Sequence, residues 1–339
     1  MSRRSKRNKH KSTHLARQQK PAPLPTAEPT LNLGYAQASR VVTREFRRVQ
    51  IVVAGCGGIG AYVVQHIGRL MRVLYDDQRG VNLVLADPDI VEEKNLGRQL
   101  FCDAEVGVPK AIALARRYGQ AWGLNTMAYH GEYTENLLLD EMDLAILVGC
   151  VDNAAARVAL HDTLARNPNR VTPNTMPQLW WLDCGNAKDT GRVCLGSAYT
   201  DHQVEGAFYG KHCMALPSPA LQYPDLLIPQ RDEQPGADMS CAELQMANLQ
   251  SLNINAAIAV QAADMLTRLL VTNDLKRYQC AVNLASGSVK SFYCTPEDVA
   301  REIDRGVEFV TCQPDVVPSI DVANSIVLQH LSELREATA

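Results

Sequence analysis

Four charged side chains carry most of the chemistry this sequence could perform. Arg98 offers a planar fork of donors suited to phosphate oxygens. Lys110 follows Pro109 at the start of a helical repeat (Ala111, Ile112, Leu114, Ala115), which places an ammonium near a helix N-terminus, a good place to meet an anion. Asp87 ends the apolar run 81–86 (VNLVLA), where a carboxylate can accept hydrogen bonds from ribose hydroxyls, or can simply end a strand in a solvated turn. Asp152 stands just past the apolar run 144–148, where a hard oxygen ligand suits Mg²⁺. The same residue could equally be the N-cap of the helix expected over 154–164. The stretch DPDIVEEKNLGRQ (87–99), which begins at Asp87 and ends ahead of Lys110, adds Asn95 and Gln99, amides that can orient a phosphate or a carboxylate beside Arg98.

These groups need a rigid frame, and VQIVVAGCGGIG (49–60) supplies its centre. A buried-strand run stops at Gly55, Gly57, Gly58 and Gly60, and apolar residues at helical spacing follow through Leu74. Strand, glycine turn and helix in that order suit a nucleotide: glycine permits close backbone approach, and the helix N–H groups can receive negative charge. The glycines alone also fit NAD, FAD or S-adenosylmethionine. Of the four, Gly57 and Gly58 are expected to tolerate a side chain least. Asp87 lies 27 residues past Gly60, a long interval that implies either a long first helix or an inserted loop over 75–80 (YDDQRG), of which the loop is the preferred reading.

Composition bounds the class. With 339 residues and 46% hydrophobic content the chain can bury a substantial core. No apolar run approaches the ~20 residues of a membrane span and no apolar leader is visible, so a cytoplasmic location and no membrane contact are expected. The ten cysteines would then be mostly reduced, and no two are spaced CxxC, so a zinc site is not expected. Residues 1–30 carry eight Lys/Arg against Glu28, giving +7 and, from the net charge of −3, leaving −10 for the remainder. This Pro-punctuated basic segment is expected to be disordered, with a weak nucleic-acid contact by residues 1–20 as its sharper reading. The eight histidines, among them His66, His161 and His202, fall outside every motif and read as surface or incidental.

Taken in order, GCGGIG, DPDIVEEKNLGRQ, GVPK, VGCVDN, WLDCGNAKDTGRVCLG (181–196) and SCAEL (240–244) resemble the ThiF/MoeB/HesA family of ubiquitin-activating-enzyme-like adenylyltransferases, over about residues 50–270. The divergent middle and missing cysteine pairs are most similar to the ThiF-like member of the PRTRC system of bacterial mobile elements. The resemblance implies a Rossmann-like, doubly wound, mostly parallel α/β sheet with a crossover segment and an antiparallel C-terminal extension. It implies an ATP- and Mg²⁺-dependent enzyme that activates the C-terminal glycine carboxylate of a small β-grasp, ubiquitin-like protein and releases pyrophosphate. The roles it assigns are Asp87 to the ribose, Arg98 and Lys110 to the phosphates, Asn95 and Gln99 to positioning, Asp152 to Mg²⁺, and Gly55, Gly57, Gly58 and Gly60 to the floor. No general base is required, because the attacking carboxylate is already ionised at neutral pH.

Cys241 occupies the place where some relatives carry a nucleophilic thiol. Just ahead of a helix expected over 246–270, it is open to two readings, an activated thiolate or a small buried residue. Arg40, Arg44, Arg47 and Arg48 precede the first strand, yet none has the surroundings of the arginine that relatives extend to a neighbouring subunit's ATP. A homodimer is nonetheless expected, with a conjugating-enzyme-like protein as a further partner. The organisation expected is a basic tail (1–30), a lead-in (31–48), a nucleotide-binding half (49–199), a crossover segment (200–245), a helix and hairpin completing the same domain (246–294), and an extension (295–339) with helical spacing at 320–334. Two other functions fit parts of the pattern. An NAD(P)-dependent oxidoreductase would use the glycines and Asp87 but leave Arg98, Lys110 and Asp152 idle, and a catalytically silent scaffold would keep the fold to hold a ubiquitin-like partner.

Overall fold

The central strand of the molecule is hydrophobic on both faces. In the computed structural model, which describes residues 33–97, 99–124, 126–229 and 252–311, Arg98, Cys241, the basic segment 1–30 and the spacing at 320–334 lie outside the described residues. After α1 (Leu33–Gln37) and the short strand β1 (Arg40–Val41), β2 (Arg48–Ala54) sends Val49, Ile51 and Val53 into one core layer and Val52 and Ala54 into the other. Such a strand reads as a continuous apolar run because helices cover both sides of the sheet. Its one polar interior residue, Gln50, is fully buried and satisfied: Nε2 donates to the Leu137 carbonyl (2.9 Å) and to Asn82 Oδ1 (3.1 Å), and Oε1 accepts the Leu139 N–H (2.9 Å).

Around β2 the chain builds α2 (Gly58–Asp76), β3 (Gly80–Ala86), α3 (Lys110–Trp122), β4 (Thr126–Tyr129), β5 (Leu144–Gly149), α4 (Ala154–Thr163), β6 (Leu179–Asn186) and β7 (Thr190–Gly196). The short strands β8 (Phe208–Tyr209) and β9 (His212–Cys213) join β1 in a small separate sheet of order β1-β9-β8, and α5 (Pro219–Gln222) follows. Helix α6 (Leu252–Leu270), strands β10 (Arg277–Asn283) and β11 (Ser288–Tyr293), and helices α7 (Pro296–Glu302) and α8 (Val307–Val310) complete the described chain. The main sheet runs β11-β10-β7-β6-β5-β2-β3-β4, parallel from β6 to β4 and antiparallel from β6 to β11. Helices α2, α3 and α6 contribute to one core layer, and α4 and α5 to the other. This is a doubly wound α/β fold with an antiparallel extension. No helix among the described residues is long and apolar enough to cross a membrane.

Two local features correct the sequence reading. The interval before Asp87 comes from a long helix rather than an inserted loop, since α2 continues to Asp76 and only residues 77–79 precede β3. Its buried stripe (Ile59, Val63, Ile67, Leu70, Leu74) continues unbroken and carries the helix through Tyr75 and Asp76, the first two residues of the polar stretch. The fourth parallel-side strand, β4, was not anticipated: it is four residues at the sheet edge with three exposed, so it shows no apolar alternation.

Helix α6 packs its apolar face on α2, β6 and β7 of its own chain. Ile254, Ile258, Met265 and Leu266 are fully buried there, each contributing roughly 2 kcal/mol. His161, read from sequence as surface or incidental, is buried: its ring lies 4.6 Å from that of Tyr199, and its Nδ1 lies 3.2 Å from Ser218 Oγ. Burial lowers its pKa from the ordinary histidine value.

At the glycine turn, space constrains Gly60, and both space and a left-handed backbone constrain Gly55. A Cβ on Gly60 would lie 1.9 Å from the Gly55 carbonyl oxygen, and one on Gly55, whose φ is +86°, would lie 2.5 Å from the Cys150 carbonyl oxygen. Neither backbone can give way. On Gly58 a Cβ would meet Asn255 Nδ2 at 2.9 Å, whereas on Gly57 the nearest atom is Gln99 Nε2 at an ordinary 3.6 Å. The expectation that Gly57 and Gly58 are least tolerant therefore shifts to Gly55 and Gly60. Gly60→Ala should cost about 3 kcal/mol or more in urea denaturation, or give no folded protein, while Gly57→Ala should stay within ~1 kcal/mol of wild type. Equal losses at the two positions would contradict this account of the turn.

Candidate functional site

The chain runs from β2 outward through β3 to β4 and then returns to β5 on the other side of β2, so the topological switch lies between β2 and β5. Crevices form outside the carboxyl ends of strands at such a switch. Gly55 follows β2, Asp87 follows β3, and Cys150, Val151 and Asp152 follow β5. The three strand ends are tied together: the Gly55 N–H donates to the Ala86 carbonyl (2.9 Å) and the Cys150 N–H to the Ala54 carbonyl (2.7 Å). The N-terminus of α2, with its unpaired N–H groups and positive dipole end, begins at this point.

Asp87 is 4% exposed and has already accepted two backbone donors, the Cys56 N–H on Oδ2 (2.5 Å) and the Asp89 N–H on Oδ1 (2.8 Å). It thus pins the glycine turn and keeps lone pairs on both oxygens for a further donor. Burial pushes its pKa up, against the two N–H bonds and the Lys110 charge, which act in the opposite sense. Lys110 opens α3 and is also buried; its Nζ donates to Asp89 Oδ2 at 2.7 Å, and its N–H to the Asp89 carbonyl at 2.9 Å. Pro109 is the helix N-cap, so the lysine occupies the first helical position, as its sequence neighbours predict.

Asn95 belongs to a 3₁₀ turn (Glu93–Asn95), where its Oδ1 accepts the Glu92 N–H (2.8 Å) and its carbonyl accepts the Gln99 N–H (2.8 Å). That turn brings the Gln99 amide beside Gly57 at the start of α2. Gln99 Oε1 is buried there without a hydrogen-bond partner among the described residues, an uncompensated acceptor of the kind a bound polar ligand satisfies. Asp152 is exposed beyond β5 and is not the cap of α4: Asn153 is, its side chain accepting the Ala156 N–H (2.8 Å). The structure therefore gathers Gly55, Gly57, Gly58, Gly60, Asp87, Lys110, Gln99 and Asp152 at the switch, with Asn95 supporting Gln99.

Sequence reasoning missed four polar residues here. Asn186 at the end of β6 donates to Asn255 Oδ1 (2.8 Å), and Asn255, 1% exposed on α6, packs its amide against Gly58. Asp183 in β6 is fully buried 3.4 Å from Arg157 of α4. The available signal was a lone Asp or Asn inside an otherwise apolar segment (LWWLDC, INAAIAV), which needs a partner wherever it is buried.

Among the described residues no group of three or more His, Cys, Asp or Glu is arranged to hold a metal. A cation that takes one or two protein carboxylates and completes its shell with phosphate and water needs no such group, and Asp152 has the exposure and the hard oxygens for it.

The ThiF family matches residues 31–278. The chain is similar to the SAMP-activating enzyme E1 of Haloferax volcanii, 41% identical over 68 residues that make up 20% of this chain and 22% of that protein. It is also similar to the adenylyltransferase and sulfurtransferase MOCS3 of Xenopus laevis, 29% identical over 123 residues, 34% of this chain and 25% of that one. The matches thus span no more than about a quarter of either curated relative. Among solved structures, E. coli MccB with ATP is 15% identical with a TM-score of 0.47, covering 83% of this chain and 69% of that one.

Asp87 gives this site a pH signature. A carboxyl whose folded pKa is raised contributes stability below its unfolded pKa and loses it as pH rises through the folded value. In urea denaturation between about pH 4 and 7, the stability of wild type relative to Asp87→Asn should therefore decline as pH rises. A relative stability that grows with pH would show that the two N–H bonds, not burial, dominate this carboxyl.

Proposed function

The chain belongs to the ThiF family, and from that premise we propose that it is an ATP-dependent adenylyltransferase acting on the C-terminal carboxylate of a small ubiquitin-like protein. The observation that carries the reading is the meeting, at one switch point, of a helix N-terminus, the buried Lys110, the buried Asp87 and the exposed Asp152. A dinucleotide dehydrogenase would use the first and third of these and leave Lys110 and Asp152 without a task.

The division of labour follows from what each group can still do. Asp87, fixed by the Cys56 and Asp89 N–H groups, accepts a ribose hydroxyl on its remaining lone pairs. Gln99 offers its unpartnered Oε1 beside the α2 N-terminus. Lys110, held by Asp89 until a phosphate competes for it, contributes positive charge where the triphosphate lies, and Arg98 is assigned to the same phosphates. Asp152 is the ligand for Mg²⁺, which when bound neutralises phosphate charge and stabilises the pyrophosphate leaving group. The acceptor's carboxylate oxygen forms a bond to the α-phosphorus, the bond from that phosphorus to the β-bridging oxygen breaks, and pyrophosphate departs with both electrons. No proton moves, so the step requires no general base.

The same reading extends to features outside the described residues. Cys241 is the candidate thiol for a later acyl transfer, and a homodimer, a conjugating-enzyme-like partner and the narrower kinship with the PRTRC member belong to it as well.

Pyrophosphate exchange into ATP, dependent on a β-grasp protein ending in glycine, is the direct test. Lys110→Ala and Asp152→Ala should each lower the exchange rate on the order of 10²-fold with the fold intact. Thermal shift should show stabilisation by Mg-ATP and not by NAD(P), since only a ligand that binds the native state raises its stability. Stabilisation by NAD(P) alone, or exchange undiminished in both variants, would overturn the proposal.

A further inference from the structure

The fully buried carboxylate of Asp183 has no role in the reading above. It sits in β6 opposite Gly149, the last residue of β5, in parallel register. A Cβ on Gly149 would lie 3.3 Å from Asp183 Oδ1 and 2.8 Å from Trp181 Nε1, so the carboxylate is wedged against the backbone where β5 ends. Its Oδ1 lies 3.4 Å from Arg157 Nε, and its Oδ2 has no hydrogen-bond partner among the described residues. Arg157 in turn donates from Nη2 to the Val151 carbonyl at 2.7 Å, and its side chain is 12% exposed.

Taking an ion pair out of water costs several kcal/mol per ion, and a pair this incompletely satisfied regains little of it, so stability alone is a poor reason for Asp183. The consequence of the arrangement lies at the other end of the guanidinium. Val151 is held through its carbonyl by Arg157, and Asn153 through its side chain by the Ala156 N–H. Asp152, the residue between them, is thereby fixed on both sides while its own carboxylate has no protein partner among the described residues.

We propose that Asp183 and Arg157 are positioning residues for Asp152: the buried carboxylate aims the guanidinium, the guanidinium holds the Val151 carbonyl, and the loop then presents Asp152 to the metal–triphosphate in one direction. The final step rests on the adenylyltransferase reading; the clamp itself does not. A lysine could not replace the arginine, because one ammonium cannot reach the carboxylate from one nitrogen and the carbonyl from another.

The test compares wild type, Arg157→Lys and Asp183→Asn as full-length proteins. Hydrogen exchange followed by mass spectrometry should show exchange at residues 151–153 rising roughly tenfold or more in Arg157→Lys, while α4 and β6 keep their protection. Mn²⁺ binding in the presence of ATP, followed by electron paramagnetic resonance, should weaken in both variants. In pyrophosphate exchange the half-saturating Mg²⁺ concentration should rise, with the KM for ATP at saturating metal unchanged. A staple that merely joins α4 to β6 would instead raise exchange across both elements and leave Mn²⁺ affinity alone, and that result overturns the proposal, as does unchanged exchange at 151–153. If wild-type protein binds no Mn²⁺–ATP, the functional reading and the metal half of this inference fall together, while hydrogen exchange still decides the clamp.

Discussion

The carbonyl of Gly55 and the backbone of Gly60 approach so closely that no side chain fits between them, and the site depends on that contact. It lets α2 start directly over the end of β2, with its N–H groups opening onto the switch point rather than onto solvent beyond the sheet. The neighbouring strand ends are locked to the same turn, β3 through the Gly55 N–H and β5 through the Cys150 N–H. A backbone turn packed on backbone on two sides cannot drift, so every charged group attached to those strand ends inherits its position from main-chain hydrogen bonds.

On that frame most of the charged groups are already paired. Lys110 holds Asp89, Asp87 holds two N–H groups, and Arg157 bridges Asp183 and the Val151 carbonyl. Such pairing lowers the reorganisation needed when a polyanion arrives, because the donors and acceptors are aimed before it binds. Asp152 differs: it is exposed and unpaired among the described residues, which leaves its carboxylate open for the metal role proposed for it. The second helical layer reaches the same turn through Asn255, whose amide fills the space that Gly58 leaves and is itself held by Asn186 from β6. The end of β6 is thus coupled to the glycine turn through these amide contacts.

The sequence by itself determined the order of strand, glycine turn and helix, the acid at the end of β3, the lysine at the start of α3 and the acid beyond β5. Each of these is a local pattern, written in apolar periodicity and in the residues that interrupt it. It also marked the hairpin of β10 and β11, where Gly287 takes φ +67°. Local pattern failed where a tertiary partner made the decision. Helix α2 extended to Asp76, leaving only a three-residue connection, because its buried stripe had a sheet and α6 to pack on, and β4 formed at an edge with no alternation because β3 offered it backbone partners. Which glycines could bear a side chain depended on the carbonyls of Gly55 and Cys150, and Cys150 is about ninety residues away in the chain. Whether Asp152 or its neighbour capped α4 turned on the direction of one side chain. The partners of Asp183, Arg157, Asn186 and Asn255 were decided in the same way: a buried polar group needs a group to meet, and only the folded chain brings the two together.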